Sequence, residues 1–170
     1  YEEAMDGWTI TRLTAIIWGK DPEVLHPIRS ARLLTIELGH MFDGALVHSG
    51  ANDQVRWLLS QTTLTDLDEY FHPAPYQWLE PEGAWKDYPW MGRVASSAPS
   101  VREYLATTGK EKAVHLSGFS FSEEGDPLPE GEAAIYIHIP YPRRALVEFE
   151  NDEENGVYKR LVQGEPHMDA

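Results

Sequence analysis

The chain has 170 residues, 42% hydrophobic and 25% charged, with a formal net charge of −14 and no cysteine. That length buries one core or two closely packed subdomains, and the acidity excludes nucleic acid as a partner, because polyphosphate binding begins with clustered Lys and Arg. Without cysteine there is no disulfide, thiolate catalysis or Cys-ligated zinc, and no apolar run nears the roughly 18 residues of a membrane span.

Tyr1-Glu-Glu-Ala reads as strand interior rather than a chain start, so an upstream segment carrying any export signal or anchor is expected. Thr9 to Trp18 is rich in Thr, Ile and aromatic residues and predicts a strand paired with residues 1–6 across a turn near Gly7. After Asp21-Pro22, Val24 to Ser30 is a further strand candidate. Leu34, Leu38 and Met41 then recur at helical spacing up to the Asp43-Gly44 break. Ala45 to His48 is short, apolar and β-prone; Ser49-Gly50 turns the chain, and Asn52 or Asp53 caps a helix with apolar positions Val55, Leu58 and Leu59.

Residues 71–91 change character. Phe71, Tyr76, Trp78, Trp85, Tyr88 and Trp90 alternate with Pro73, Pro75, Pro81 and Pro89, which predicts a long aromatic loop held by ring packing. Ser97-Ala-Pro99-Ser100 opens a short helix through Leu105 that Gly109 stops. Ile135, Ile137 and Ile139 alternate with Tyr136 and His138 up to Pro140, a strand pattern, and 145–150 with 157–162 flank Asn155-Gly156 as a hairpin. Residues 121–170 hold 12 Asp and Glu against 4 Lys and Arg, a solvated acidic surface. The order of elements predicts an α+β fold, with a mixed, largely antiparallel sheet and flanking helices in a front subdomain, 1–110. A β-rich rear subdomain is expected over 111–170.

Chemistry concentrates in the first third. Arg29 and Arg32 carry guanidinium forks able to hold a carboxylate or phosphate through paired hydrogen bonds, or to pair with the acidic residues of the same chain. His48-Ser49-Gly50 lies between strand and helix, where outward backbone N–H groups favour negative charge. Ser49 as a nucleophile is disfavoured, because residues 47–51 read Val-His-Ser-Gly-Ala and miss both glycines of the G-x-S-x-G elbow. His48 is a candidate general base, with Asp6 or Asp53 to orient it. The seven histidines form no H-x-x-x-H pair, and only His167 and Asp169 at the chain end offer a weak metal site. No cofactor is implied. The rings of Tyr76, Trp78, Trp85 and Trp90 could line a groove for sugar faces, or bury themselves to anchor the loop.

Taken in order, Tyr1-Glu-Glu-Ala, Ile10-Thr-Arg12, Pro27-Ile-Arg29-Ser-Ala-Arg32, His48-Ser-Gly50, Gly156-Val-Tyr158-Lys-Arg160 and Gly164-Glu-Pro166-His167-Met-Asp169 resemble the YerB-like lipoprotein family, a bacterial family without an established reaction. The resemblance covers nearly the whole chain. It implies an α+β front, a β-rich rear, and a lipid-anchored or secreted life outside the cytoplasm, with any membrane attachment through an upstream anchor. The chain departs from the family pattern at Ser96-Ser97-Ala98-Pro99-Ser100, where the family carries a basic stretch leading into Ala-Pro-His. The leading expectation is a cell-envelope domain that binds an anionic or glycan-type ligand through Arg12, Arg29, Ser30, Arg32, His48, Ser49, Gly50, Asn52 and Asp53. The alternatives are a hydrolase of cell-wall polymers with His48 as base, and a protein-interaction module using the 71–91 loop. Sequence alone leaves the oligomeric state open.

Overall fold

The computed structural model describes residues 1–5, 10–83, 86–87, 89–116, 131–132, 134–141 and 146–167. In chain order the elements are β1 (Glu2–Ala4), β2 (Thr11–Leu13), α1 (Leu33–Phe42), β3 (Ala45–His48), α2 (Asp53–Ser60), β4 (Thr65–Asp68), β5 (Tyr76–Trp78), β6 (Val94–Ser96), α3 (Ala98–Thr107), β7 (Tyr136–Ile139), β8 (Val147–Asp152), β9 (Val157–Val162) and β10 (Glu165–Pro166). The class is α+β. Every described strand pair is antiparallel except β3 with β4, which is parallel.

The chain divides into two units, one of Tyr1–Ala15 with Gly118–Ala170 and one of Ile16–Ser117. The first fifteen residues, expected from sequence in a front subdomain, therefore group with the rear strands. The cause is visible at Glu2. Its carboxylate accepts from Arg160 Nη2 at 2.5 Å, and its carbonyl accepts from the Tyr141 hydroxyl at 2.9 Å. In this unit β10, β9, β8 and β7 form one sheet in that order. The strand expected over 9–18 is confined to β2 among the described residues, because its partner runs out where Thr14 N–H meets the Tyr1 carbonyl at 2.8 Å.

The second unit is built on β3, α2 and β4, in which a helix crosses between two parallel strands. Asn52 caps α2, its side chain accepting from Val55 N–H at 2.8 Å. Asn52→Ala is expected to lower stability by about 1 kcal/mol, read from a urea midpoint. Ala31, Ile36, Leu46, Val55 and Leu59 form the core, where α1 and α2 cover β3. The approach of α1 is close: a Cβ on Gly39 would lie 2.7 Å from Leu46 Cδ2.

Two sequence expectations are corrected here. Val24 to Ser30 is not a strand; it meets β6 at the Leu25–Ser96 bridge and through the Ile28 N–H to Val94 carbonyl bond of 2.8 Å. Pro22 and Pro27 remove donors on either side of the bridge. Conversely, the aromatic stretch is not all loop. β5 lies within it, paired with β6 in the register Tyr76↔Ser96 and Trp78↔Val94, and its prolines flank the strand rather than interrupt it.

Candidate functional site

The two segments singled out in the first third do meet. Ser49 N–H donates to the Arg29 carbonyl at 3.0 Å, and Ala31 N–H donates to the Gly50 carbonyl at 2.9 Å. Backbone hydrogen bonds make this junction. Gly50 sits at φ +76°, a left-handed turn that only glycine adopts at little cost, and it carries the chain from β3 to the α2 cap.

His48 closes β3 and is 1% exposed. Its Nε2 donates to Asp66 Oδ1 at 2.6 Å, and its Nδ1 donates to the Gly50 carbonyl at 2.9 Å. Both neighbours are acceptors, an arrangement that favours hydrogen on both ring nitrogens and hence the imidazolium. Burial opposes that charge. The Asp66 bond and charge, the Gly50 carbonyl and nearby Asp68 together outweigh it and raise the His48 pKa above its ordinary value. At 1% exposure, and with both ring nitrogens engaged, His48 has neither the solvent access nor an unengaged nitrogen that a general base uses.

The carboxylate that orients the ring is Asp66, not Asp53. Asp53 is exposed in the first turn of α2, and Asp6 lies outside the described residues. Asp66 was missed because the pairing depends on the parallel register, Leu46↔Asp66 and His48↔Asp68, across an intervening helix. The legible signal was Asp66-Leu67-Asp68, whose alternation puts both carboxylates on one side of β4 and Leu67 on the other. Asp68 is buried and accepts from Tyr70 N–H at 3.0 Å and Gly50 N–H at 3.4 Å, with Arg56 Nη2 at 3.9 Å.

Tyr76 reaches the same strand ends from β5. Its hydroxyl accepts from His48 N–H at 3.0 Å and donates to the Leu67 carbonyl, with the His48 carbonyl at 3.2 Å. Burial and the adjacent acidic groups raise its pKa. Two residues on, Trp78 Nε1–H donates to Glu69 Oε1 at 3.0 Å, while Glu69 Oε2 accepts from the Ser49 hydroxyl at 3.4 Å. Trp78 stacks on Trp90 with centroids 5.8 Å apart and planes 11° from parallel. Both stay in solvent, at 44% and 62% exposure.

The remaining predicted residues disperse. Arg12 belongs to the other unit, on β2 opposite Glu3. Arg32 precedes α1 and turns Nη1 back to the Ala31 carbonyl at 2.8 Å. Ser30 Oγ lies 3.9 Å from where a Gly50 Cβ would be, and the Asn52 side chain serves as helix cap. Trp85 and Asp169 lie outside the described residues; His167 is in the first unit, its N–H bonded to the Arg160 carbonyl. Among the described residues no group of three His, Asp or Glu side chains is placed to hold a metal.

Residues 1–112 match the family model described as "Protein of unknown function (DUF3048) N-terminal domain". The chain belongs to the DUF3048 family. This DUF3048 chain is similar to the protein named "Putative lipoprotein YerB" of Bacillus subtilis (strain 168), with 24% identity over 173 residues, 95% of this chain and 48% of that one. It also resembles the crystal structure of YerB from Bacillus subtilis, with a TM-score of 0.71 at 20% identity, covering 99% of this chain and 54% of that one. At that identity the likeness is one of fold. The DUF3048 chain thus spans about half the length of the relative it matches.

Proposed function

We propose that this DUF3048 chain is an extracytoplasmic domain of the cell envelope, held by a lipid anchor, that binds a glycan-type ligand on the Trp78–Trp90 stack. The lipoprotein name of its relative supports the location, and no described helix is long and apolar enough to cross a membrane. The Trp78–Trp90 pair carries the ligand assignment. The indoles stack on one another and both remain exposed, Trp90 at 62%. A sugar offers a complementary surface, an apolar C–H face rimmed by hydroxyls, and Glu69 and Ser49 stand beside the rings to meet that rim. An anionic ligand at this edge would sit beside Asp66, Asp68 and Glu69, so the glycan is favoured. The hydrolase alternative finds no support in His48, whose two nitrogens already face acceptors.

Titration with chito-oligosaccharides and soluble muropeptides, followed by NMR of the indole N–H signals, tests this reading. The Trp78 and Trp90 signals are expected to shift, with Trp78→Ala weakening binding about tenfold or more, equivalent to at least 1.4 kcal/mol. No shift at either indole with millimolar sugar would refute it, as would equal binding by Trp78→Ala.

A further inference from the structure

The indole stack has a charged neighbour at hydrogen-bond distance. Glu69 Oε1 accepts from Trp78 Nε1–H at 3.0 Å, and Glu69 Oε2 accepts from the Ser49 hydroxyl at 3.4 Å. Its own N–H donates to the His48 carbonyl at 2.9 Å, so backbone and side chain together fix the carboxylate against the edge of the Trp78 ring. The contact is between side chains, and it places charge and ring in one site.

The other carboxylates at this strand end have cationic neighbours. Asp66 holds His48, and Asp68 lies 3.9 Å from Arg56. Among the described residues no Lys, Arg or His side chain pairs with Glu69. Arg93, on the turn that follows Trp90, directs Nη1 instead to the Leu79 carbonyl at 3.2 Å. Residues 66–93 carry six Asp and Glu against Lys86 and Arg93, so the stretch that bears the rings is itself negative. Holding the indole requires only an acceptor, which an amide would supply. The charge on Glu69 is the part that anchoring does not use.

A carboxylate beside an exposed indole pair is suited to an ammonium group. Indole attracts a cation over its face through the ring quadrupole, more strongly than the other aromatic side chains do. An adjacent carboxylate adds direct charge attraction. A neutral acetamido group gains neither. We infer that Trp78, Trp90 and Glu69 recognise an amino sugar whose amine is free, a de-N-acetylated hexosamine, in preference to its N-acetylated form. The inference rests on the glycan reading of the Trp78–Trp90 stack and adds the charge of the ligand to it.

Affinities for chitobiose and for its fully de-N-acetylated counterpart, followed at the Trp78 indole N–H in the wild type and in Glu69→Gln, test this at about pH 6, where sugar amines carry a proton. The de-N-acetylated disaccharide is expected to bind the wild type about tenfold more tightly. Glu69→Gln keeps an acceptor for the indole, so it keeps the chitobiose affinity and loses the preference. If the wild type binds the two equally or prefers chitobiose, the free-amine assignment is overturned and the Trp platform stands. Persistence of the preference in Glu69→Gln overturns it as well, since the attraction would then belong to the net charge of −14 rather than to this carboxylate. A fall in both affinities at an unchanged ratio counts as such persistence and leaves Glu69 with the anchoring role alone. If neither disaccharide moves the Trp78 indole, the glycan reading fails and the inference with it.

Discussion

Asp66→Ala is expected to destabilise the protein by about 2 kcal/mol near pH 6 and to abolish a fall in stability that the wild type shows on the alkaline side. Removing one partner of a buried ion pair costs about 3–5 kcal/mol, because the other charge is left uncompensated. Asp66 is 35% exposed, so solvent screens part of the interaction and the lower figure applies. The pH dependence follows from the geometry of His48. Its folded pKa lies above the ordinary imidazole value of 6.5. The folded protein therefore binds the proton more tightly than the unfolded chain does, and stability decreases with pH between the two values. The contribution is complete below the unfolded pKa and lost as pH rises through the folded one. In Asp66→Ala burial still disfavours the imidazolium while its chief partner is gone, so the alkaline fall disappears and the two proteins converge at high pH. Urea denaturation across this range reads the effect. A wild type whose stability is flat or rises with pH through that window would contradict an imidazolium at His48.

Tyr76→Phe keeps the ring and removes one oxygen, yet about 1–3 kcal/mol of stability is expected to go with it. The hydroxyl bonds backbone groups of both His48 and Leu67, at the ends of two strands that come from different parts of the chain. Phenylalanine leaves those groups short of a partner where water has little access. The local consequence is more specific than the global one. β5 loses its attachment to the β3–β4 pair, and Trp78, two residues away, is expected to show faster anisotropy decay than in the wild type. Loss of stability with unchanged Trp78 dynamics would mean that the Glu69 bond alone fixes the indole.

Local chemistry made several elements legible. The Asn52 cap and the spacing of Val55, Leu58 and Leu59 announced α2, Ser97 with Pro99 announced α3, and Asn155-Gly156 announced the β8–β9 turn. β4 was hidden because parallel strands usually read as continuous apolar runs, whereas Thr65-Asp-Leu-Asp68 contains a single aliphatic residue. β5 was hidden among prolines. At the site, sequence pointed to His48, Ser49 and the tryptophans, and it related Arg29 to Gly50 only as neighbouring motifs. It could not show that His48 would be enclosed by acceptors, because Asp66 reaches it through strand register and Tyr76 through a separate hairpin. An isolated histidine near a turn looks the same in sequence whether its lone pair is free or already protonated.

The grouping of the first fifteen residues with the last fifty also sets an order of events. Every contact inside Ile16–Ser117 is made within one continuous stretch, so that unit can form as soon as its own residues are available. The other cannot. Glu2 and Arg160 are 158 residues apart, and the hairpin that carries Glu2 meets Arg160 only after β9 has been synthesised. Closing so long an interval is slow relative to local pairing. The continuous middle unit is thus the part of the chain whose contacts all close locally, and the discontinuous unit is the part that waits.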